Sequence, residues 1–392
     1  MKKLTNESKI GVMGSGTMGI GIALVAAING HEVFLFEVSS NALERAKIDH
    51  KIFLKRSVEK GKKTETESNE ILNRIHYRDS FEFDQACSMY IEAIVENLEL
   101  KQEVFSNLDK LSGSETILCS NTSSLSITSI AAACENQSRV IGTHFFNPAP
   151  LLPLVEIVPG IETSAETVNE VKELIAAWGK SPVIAKDTPG FIVNRVARPF
   201  YGEALRILEE SIADVPTIDW ALKKFGGFKM GPFELMDMIG NDVNFSVTET
   251  VFKEFYYDPR FKPSLIQKRL VEAKHFGRKS GKGFYDYSDG AAAPQPVEDE
   301  KLGKEIVNRI LSMLINEAAD AVYMNIASKE DVDLAMTKGT NYPKGLLKWA
   351  DEIGIKNVVH SLTELKEFYD EDRYRVNPLL KNMAKNNLKF YE

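Results

Sequence analysis

Lys9-Ile-Gly-Val-Met-Gly14-Ser-Gly16-Thr17-Met18-Gly19-Ile-Gly21 opens the stretch on which the fold turns. The run before Gly14 is short and apolar, the pattern of a buried strand. After it, Gly21-Ile-Ala-Leu-Val-Ala-Ala-Ile28 is apolar throughout and rich in helix formers, the pattern of a buried helix. Asn29-Gly30 supplies the left-handed geometry that ends such a helix. His31-Glu-Val-Phe-Leu-Phe36 is a second apolar strand, with Glu37 at its end, 23 positions after Gly14. Strand, glycine turn, helix, strand and acid therefore stand in the order that binds a dinucleotide.

Each glycine answers a physical demand. One makes the tight turn, one lets the backbone approach a pyrophosphate, and one lets helix and strand pack closely. Gly14, Gly16 and Gly19, with Thr17 and Met18 at the helix start, are the expected cofactor contacts, because a helix N-terminus offers free N–H groups and partial positive charge to phosphate. Glu37 can accept both ribose hydroxyls and would repel a 2′-phosphate, which favours NAD over NADP. A glycine-rich turn without a ligand is the plainer alternative.

Working outward, the chain has 392 residues, 43% hydrophobic and 27% charged, enough for two or three globular domains. Its net charge of −8 excludes a general nucleic-acid binder, which needs a basic face, but not a local site for an anionic small molecule. Cys87, Cys119 and Cys134 form no C-x-x-C pair, so neither a disulfide framework nor a metal site is expected. The start, Met1-Lys-Lys-Leu-Thr-Asn-Glu-Ser8, is too polar for a secretory signal, and no run approaches a membrane span, which makes the cytoplasm the expected compartment.

From Ser39 to about Arg78 the pattern is helical, with a basic cluster at Lys51, Lys55, Arg56, Lys60, Lys62 and Lys63. The cluster is a solvated helix face or a handle for an anionic substrate. Apolar strands then recur: Met89–Val95 ending at Glu96, Thr116–Cys119 before Ser120-Asn-Thr-Ser-Ser124, Arg139–Thr143 before His144-Phe-Phe-Asn-Pro148, Leu154–Val158, and Pro182–Ala185. The polar groups cluster at strand ends, where open α/β sheets bind ligands.

Beyond the turn-rich Lys186-Asp-Thr-Pro-Gly190 the chain reads as almost wholly helical, and it repeats itself. At an offset of 114, Ile192-Val-Asn-Arg195 falls on Ile306-Val-Asn-Arg309, Glu203-Ala204 on Glu317-Ala318, and Asp219 on Asp333. Fifteen of the 49 positions from 192 to 240 agree, more than chance allows. The expected fold is thus an α/β Rossmann-type NAD-binding domain followed by two all-α domains related by internal duplication. The expected boundaries are 1–188 for the nucleotide domain, 189–288 and 301–392 for the helical copies, and a linker at 289–300.

His144 and Glu156 are the candidate catalytic pair. Oxidation of a hydroxyl with hydride transfer needs a base for the alcohol proton, and histidine can both take and return it. A carboxylate on the other ring nitrogen fixes the tautomer and stabilises the imidazolium. Ser123, Asn147 and Asn194 are candidates to hold the substrate oxygen or the nicotinamide amide. Their plainer readings are a helix cap, a turn residue before Pro148, and a helix residue whose counterpart, Asn308, sits in a copy with no nucleotide domain of its own.

Together these stretches resemble the L-3-hydroxyacyl-CoA dehydrogenase family over nearly the whole chain. The match is carried by the glycine turn, Val95-Glu-Asn97, Ser120–Leu125, His144–Pro148 with Leu154-Val-Glu156, Asp187-Thr-Pro-Gly-Phe-Ile-Val-Asn-Arg195, Met230-Gly-Pro-Phe-Glu-Leu235 and Gly277–Tyr285. The resemblance implies that His144 is the general acid/base, Glu156 its partner, and Ser123, Asn147 and Asn194 the positioning residues, with Ser123 and Asn147 also near the cofactor. It places Glu96 and Lys101 near NAD, and makes Lys60 the choice within the basic cluster for an acyl-CoA substrate. Glu37 stands where relatives carry Asp. The implied reaction is reversible NAD-dependent oxidation of L-3-hydroxyacyl-CoA to 3-ketoacyl-CoA, in fatty-acid or short-chain acyl-CoA metabolism. A hydroxy-acid or sugar-acid dehydrogenase that does not use CoA is the alternative. The second helical copy makes either a monomer with an internal pseudo-dimer or a homodimer the expected assembly.

Overall fold

The computed structural model describes residues 3–5, 7–80 and 87–392. Met1, Lys2 and Asn6 of the polar N-terminal stretch lie outside the described residues. The chain divides into two compact units, Met1–Thr188 and Pro189–Glu392.

The first unit alternates strands and helices: β1 (Lys9–Met13), α1 (Thr17–Ile28), β2 (Val33–Phe36), α2 (Ser40–Glu59), α3 (Glu65–Asn73), β3 (Ile75–Arg78), β4 (Cys87–Glu92), α4 (Leu98–Leu111), β5 (Ile117–Ser120), α5 (Ile127–Ala131), β6 (Val140–Phe145), β7 (Leu154–Pro159), α6 (Ala165–Ala177) and β8 (Ser181–Ile184). They form one sheet in the order β3-β2-β1-β4-β5-β6-β7-β8. β1 is flanked by β2 on one side and β4 on the other, so the winding reverses there and opens a crevice at the carboxyl ends of the strands. Every pairing is parallel except β6 with β7. α1 is apolar all round because it is buried, and Ile22, Leu24 and Ala26 seal against Ile10 and Val12 of β1 and Leu35 of β2.

Two expectations from sequence need correction. The helical reading to Arg78 stops at Asn73, and Ile75–Arg78 is an edge strand in register with Val33–Phe36. Four residues carry too little periodicity to reveal a strand that exists only through its partner. The strand expected to run to Val95 ends at Glu92, whose carboxylate accepts the Ile94 N–H at 2.7 Å and turns the chain out of the sheet.

The second unit is helical: α7 (Val193–Val196), α8 (Arg198–Glu209), α9 (Val215–Lys224), α10 (Pro232–Ile239), α11 (Asn241–Glu254), α12 (Leu265–Glu272), α13 (Glu300–Tyr323), α14 (Lys329–Gly339), α15 (Leu346–Ile353), α16 (Ile355–Tyr369) and α17 (Pro378–Asn386). Pro199 has no N–H to give the Arg195 carbonyl, which separates α7 from α8. Local devices recur at the offset of 114. Asp219 accepts from Phe233 N (2.9 Å) and Glu234 N (3.0 Å) at the start of α10, and Asp333 from Leu347 N (2.8 Å) and Lys348 N (3.1 Å) at the start of α15. Asp237 and Asp351 each accept two further backbone N–H groups, from Phe284 and Tyr285 and from Phe390 and Tyr391.

Candidate active site

At the carboxyl end of β1 the chain turns through Gly14, whose φ of +98° suits glycine. A Cβ on Gly19 would lie 1.9 Å from the Gly14 carbonyl oxygen, so only glycine lets α1 start this close to the strand. A Cβ on Gly16 would meet nothing within 4 Å; the turn is open on that side. The cleft beside it, about 510 Å³, is lined by Gly14, Gly16, Thr17, Met18 and Glu37, with Ile94 and Val95 opposite. Open space over a helix N-terminus is the room a pyrophosphate needs.

Glu37 is tied into this turn. Its Oε2 accepts from Ser15 N and Ser15 Oγ, both at 3.0 Å, and its Oε1 from Ser39 N at 3.0 Å. Burial pushes its pKa up, but these hydrogen bonds outweigh that and hold the carboxyl below its ordinary value. An anion is thereby held at the wall of the cleft. These residues fit NAD.

His144 lies in β6 and Glu156 in β7, and the antiparallel register sets them directly opposite each other. Such pairs project to the same face of the sheet. His144 Nδ1 meets Glu156 Oε2 at 2.6 Å, with Glu156 fully buried and His144 6% exposed. A twelve-residue separation is thus closed by a strand pair, and the buried carboxylate holds the ring in one orientation. With Nδ1–H donated to the carboxylate, the acceptor lone pair of the neutral ring is at Nε2.

The loop after β5 carries Ser123. It is shaped by Glu96, whose Oε1 accepts from Thr122 Oγ1 (2.6 Å), Ser123 N (3.1 Å) and Ser124 Oγ (3.0 Å). Burial raises the Glu96 pKa, but Lys101 and these donors bring it below the usual carboxylate range. Lys101 is 1% exposed, its Nζ 2.5 Å from Glu92 Oε1 and 3.3 Å from Glu96 Oε2. The ammonium is enclosed between two carboxylates rather than turned to solvent. Asn147 is exposed just beyond β6, and Asn194 is half-buried in α7 of the helical unit. Lys60 is exposed and caps the C-terminus of α2.

Sequence reasoning missed three residues that organise this face. Glu92 is fully buried and bonded to Lys101, Ser120 Oγ (2.6 Å) and Ile94 N. A charge inside the apolar run Met89–Ile94, with a lysine nine positions on, was its only signal. Asn121 Oδ1 accepts from Phe145 N at 2.9 Å and joins the ends of β5 and β6. Asp187 accepts from Ile127 N (3.0 Å), Thr128 N (2.8 Å) and Ser126 Oγ (2.8 Å), capping α5 from 60 residues away. Ser126, not Ser123, is the N-cap of α5.

The chain is similar to known proteins over most of its length. The family model for the NAD binding domain of 3-hydroxyacyl-CoA dehydrogenase matches residues 9–188, and the model for its C-terminal domain matches 190–287 and again 306–389. Escherichia coli (strain K12) 3-hydroxyadipyl-CoA dehydrogenase is 39% identical, over 97% of this chain and 98% of that protein. The probable 3-hydroxybutyryl-CoA dehydrogenase of Bacillus subtilis (strain 168) is 42% identical, over 72% of this chain and 98% of its own length. The crystal structure of 3-hydroxybutyryl-CoA dehydrogenase from Escherichia coli K12 superposes with a TM-score of 0.91 at 37% identity, covering 97% of this chain and 99% of that one. Among the described residues, no helix is long and apolar enough to cross a membrane and no cluster of acids, histidines and cysteines could hold a metal ion.

Proposed function

The chain belongs to the 3-hydroxyacyl-CoA dehydrogenase family, oxidoreductases that use NAD, and we propose that its His144 takes the hydroxyl proton of an L-3-hydroxyacyl-CoA. NAD, when bound in the glycine cleft, supplies the acceptor for the hydride that leaves C3. The O–H proton passes to His144 Nε2 as the C3–O bond becomes a carbonyl, and in reverse His144 returns it. Glu156 stabilises the imidazolium that forms. Ser123, Asn147 and Asn194 help bind the substrate and position the reacting groups. Glu96 holds the Ser123 loop in shape, with Lys101 behind it as a positioning residue. Lys60, in the basic cluster of α2, attracts the CoA phosphates.

The observation that carries the reading is the 2.6 Å contact between His144 Nδ1 and buried Glu156 beside a dinucleotide cleft. The test is His144→Ala, assayed by NADH absorbance. Turnover should fall about 10²- to 10⁴-fold, the usual contribution of a positioned acid/base, while NAD affinity is retained. Normal turnover in that variant ends the assignment. A hydroxy-acid dehydrogenase that does not use CoA is not favoured, since the relatives are named as CoA-thioester enzymes. The acyl groups named for those relatives differ in kind: 3-hydroxybutyryl ends in a methyl, 3-hydroxyadipyl in a second carboxylate.

We also infer that residues 189–288 and 301–392 are two copies of one helical domain, joined by 289–300, that face each other as two subunits of a dimer would. Arg195 Nε pairs with Glu317 Oε1 at 2.7 Å, and the matching Arg309 Nε pairs with Glu203 Oε2 at 3.0 Å. Phe228 and its counterpart Tyr342 pack edge to face with centroids 5.0 Å apart. Reciprocal contacts of this kind are the mark of a two-fold interface. The cytoplasm is the proposed compartment, in keeping with three buried free thiols.

A further inference from the structure

The connection between β6 and β7 is more ordered than a surface turn needs to be. It joins the strand of His144 to the strand of Glu156, and Asn147 stands at its start. The Pro148 carbonyl accepts from Leu151 N at 2.9 Å and Leu152 N at 3.0 Å, which folds 148–152 into one tight loop. On one side the loop rests on α1, where a Cβ on Gly21 would lie 3.1 Å from Ala149 Cβ and 3.2 Å from Pro150 Cδ. From another side Lys180 holds it: Nζ donates to the Ala149 carbonyl at 2.5 Å and to the Leu152 carbonyl at 2.9 Å.

The sequence Trp178-Gly179-Lys180-Ser181 explains how a lysine comes to stand there. Gly179 takes a φ of +70°, which glycine adopts without strain. Gly179 N bonds the Ala176 carbonyl at 2.9 Å and Lys180 N the Ile175 carbonyl at 3.3 Å, the paired bonds that close a helix C-terminus. Ser181 N then bonds the Pro153 carbonyl at 2.7 Å, and β8 pairs with β7 from there on. Lys180 is therefore fixed between a helix end and a strand start, directly beside the loop. Trp178, which ends α6, packs against Phe145, the residue after His144, with ring centroids 6.4 Å apart.

An ammonium is more than a simple loop tie requires. Lys180 is half-buried, no carboxylate among the described residues pairs with it, and burial lowers its pKa. Its hydrogen bonds to two carbonyls are charge-assisted and so stronger than neutral ones. Apolar burial does not hold the tip of the loop, since Leu151 is 64% exposed. The lysine clamp does.

We propose that Lys180 is a positioning residue for the reaction, which clamps the loop over 149–152 and so fixes Asn147 relative to His144. This rests on the dehydrogenase reading above.

The test uses the full chain with 3-hydroxybutyryl-CoA and NAD, both saturating. Lys180→Met keeps an unbranched stem without the donors. It should lower kcat by about 10- to 100-fold, the worth of a charged hydrogen bond, with little change in KM. Lys180→Arg, which returns a cation, should restore part of the rate. In an Asn147→Ala background, Lys180→Met should cost only about threefold or less, because the two residues act through one loop. Equal losses with and without Asn147 overturn the proposal. So does an unchanged kcat with a lowered melting temperature, which marks a purely structural tie. If the Met variant does not fold, Lys180→Gln, which keeps an amide donor, carries the same comparison. Amide exchange at Leu151 and Leu152 reads the clamp without turnover and should quicken in Lys180→Met. Unchanged exchange counts against the clamp. Quickened exchange in a chain whose parent shows no dehydrogenase activity leaves the clamp standing and overturns the reading of the reaction, and with it the positioning role.

Discussion

His31 and His50 illustrate how single side chains in the nucleotide-binding unit commit to one protonation state. Trp178 Nε1 donates to His31 Nε2 at 2.8 Å, and His31 Nδ1 bonds the Ser8 carbonyl at 2.8 Å. A protonated ring would lose the tryptophan bond. His50 is held in the same way, between the Ile20 carbonyl at Nε2 and Tyr77 Oη at Nδ1, each at 2.8 Å. Burial lowers the pKa of both rings below the ordinary 6.5, only partly offset by the carbonyl bonds. In the unfolded chain both protonate as pH drops through 6.5, whereas the folded chain binds those protons only at lower pH. Stability is therefore full above 6.5 and falls as pH drops below it. Urea midpoints of β1 and α6, followed by amide exchange, should decline from pH 7 to 5, and His31→Gln should flatten part of that slope. A pH-independent midpoint in the parent chain contradicts the neutral assignment. Glu92 and Lys101 follow the opposite logic: two buried charges tolerated because they compensate each other.

At the scale of elements, the turn between β1 and α1 divides its glycines by task. Gly19 is needed for packing, because an added methyl would overlap the Gly14 carbonyl. Gly16 is open in the protein itself, so its smallness serves a ligand. Gly19→Ala should destabilise by about 1–3 kcal/mol or more and lower the melting temperature by several degrees even without cofactor. Gly16→Ala should leave the cofactor-free melting temperature nearly unchanged but weaken NAD binding by about tenfold or more. Calorimetry with and without NAD checks both, and matching behaviour of the two variants contradicts this division. The β6–β7 pair matters equally. Its antiparallel register is what sets His144 opposite Glu156.

At the scale of the whole molecule, the proposed pairing of the two helical segments bears on assembly. Arg195 and Glu203 are met within the chain, by Glu317 and Arg309. Sedimentation at micromolar concentration should show a 43.9 kDa monomer. A tight dimer formed through α7 and α8, lost on Arg195→Ala, contradicts the internal pairing. The overall charge of −8 says little about the ligand, since a helix N-terminus and local donors can hold an anion on an acidic protein.

By itself the sequence determined the dinucleotide turn, the succession of strands and helices, and the candidate pair His144 and Glu156. Glycine at a left-handed turn, apolar runs and strand-end acids are local signals, complete within a few residues. Only the tertiary structure decided that β7 runs against β6, that β3 is a strand, and that Glu92 clasps Lys101. It alone showed that the Lys180 ammonium reaches back to the connection between β6 and β7. Strand direction, ion pairing and desolvation depend on groups far apart in the chain, and no local pattern carries them.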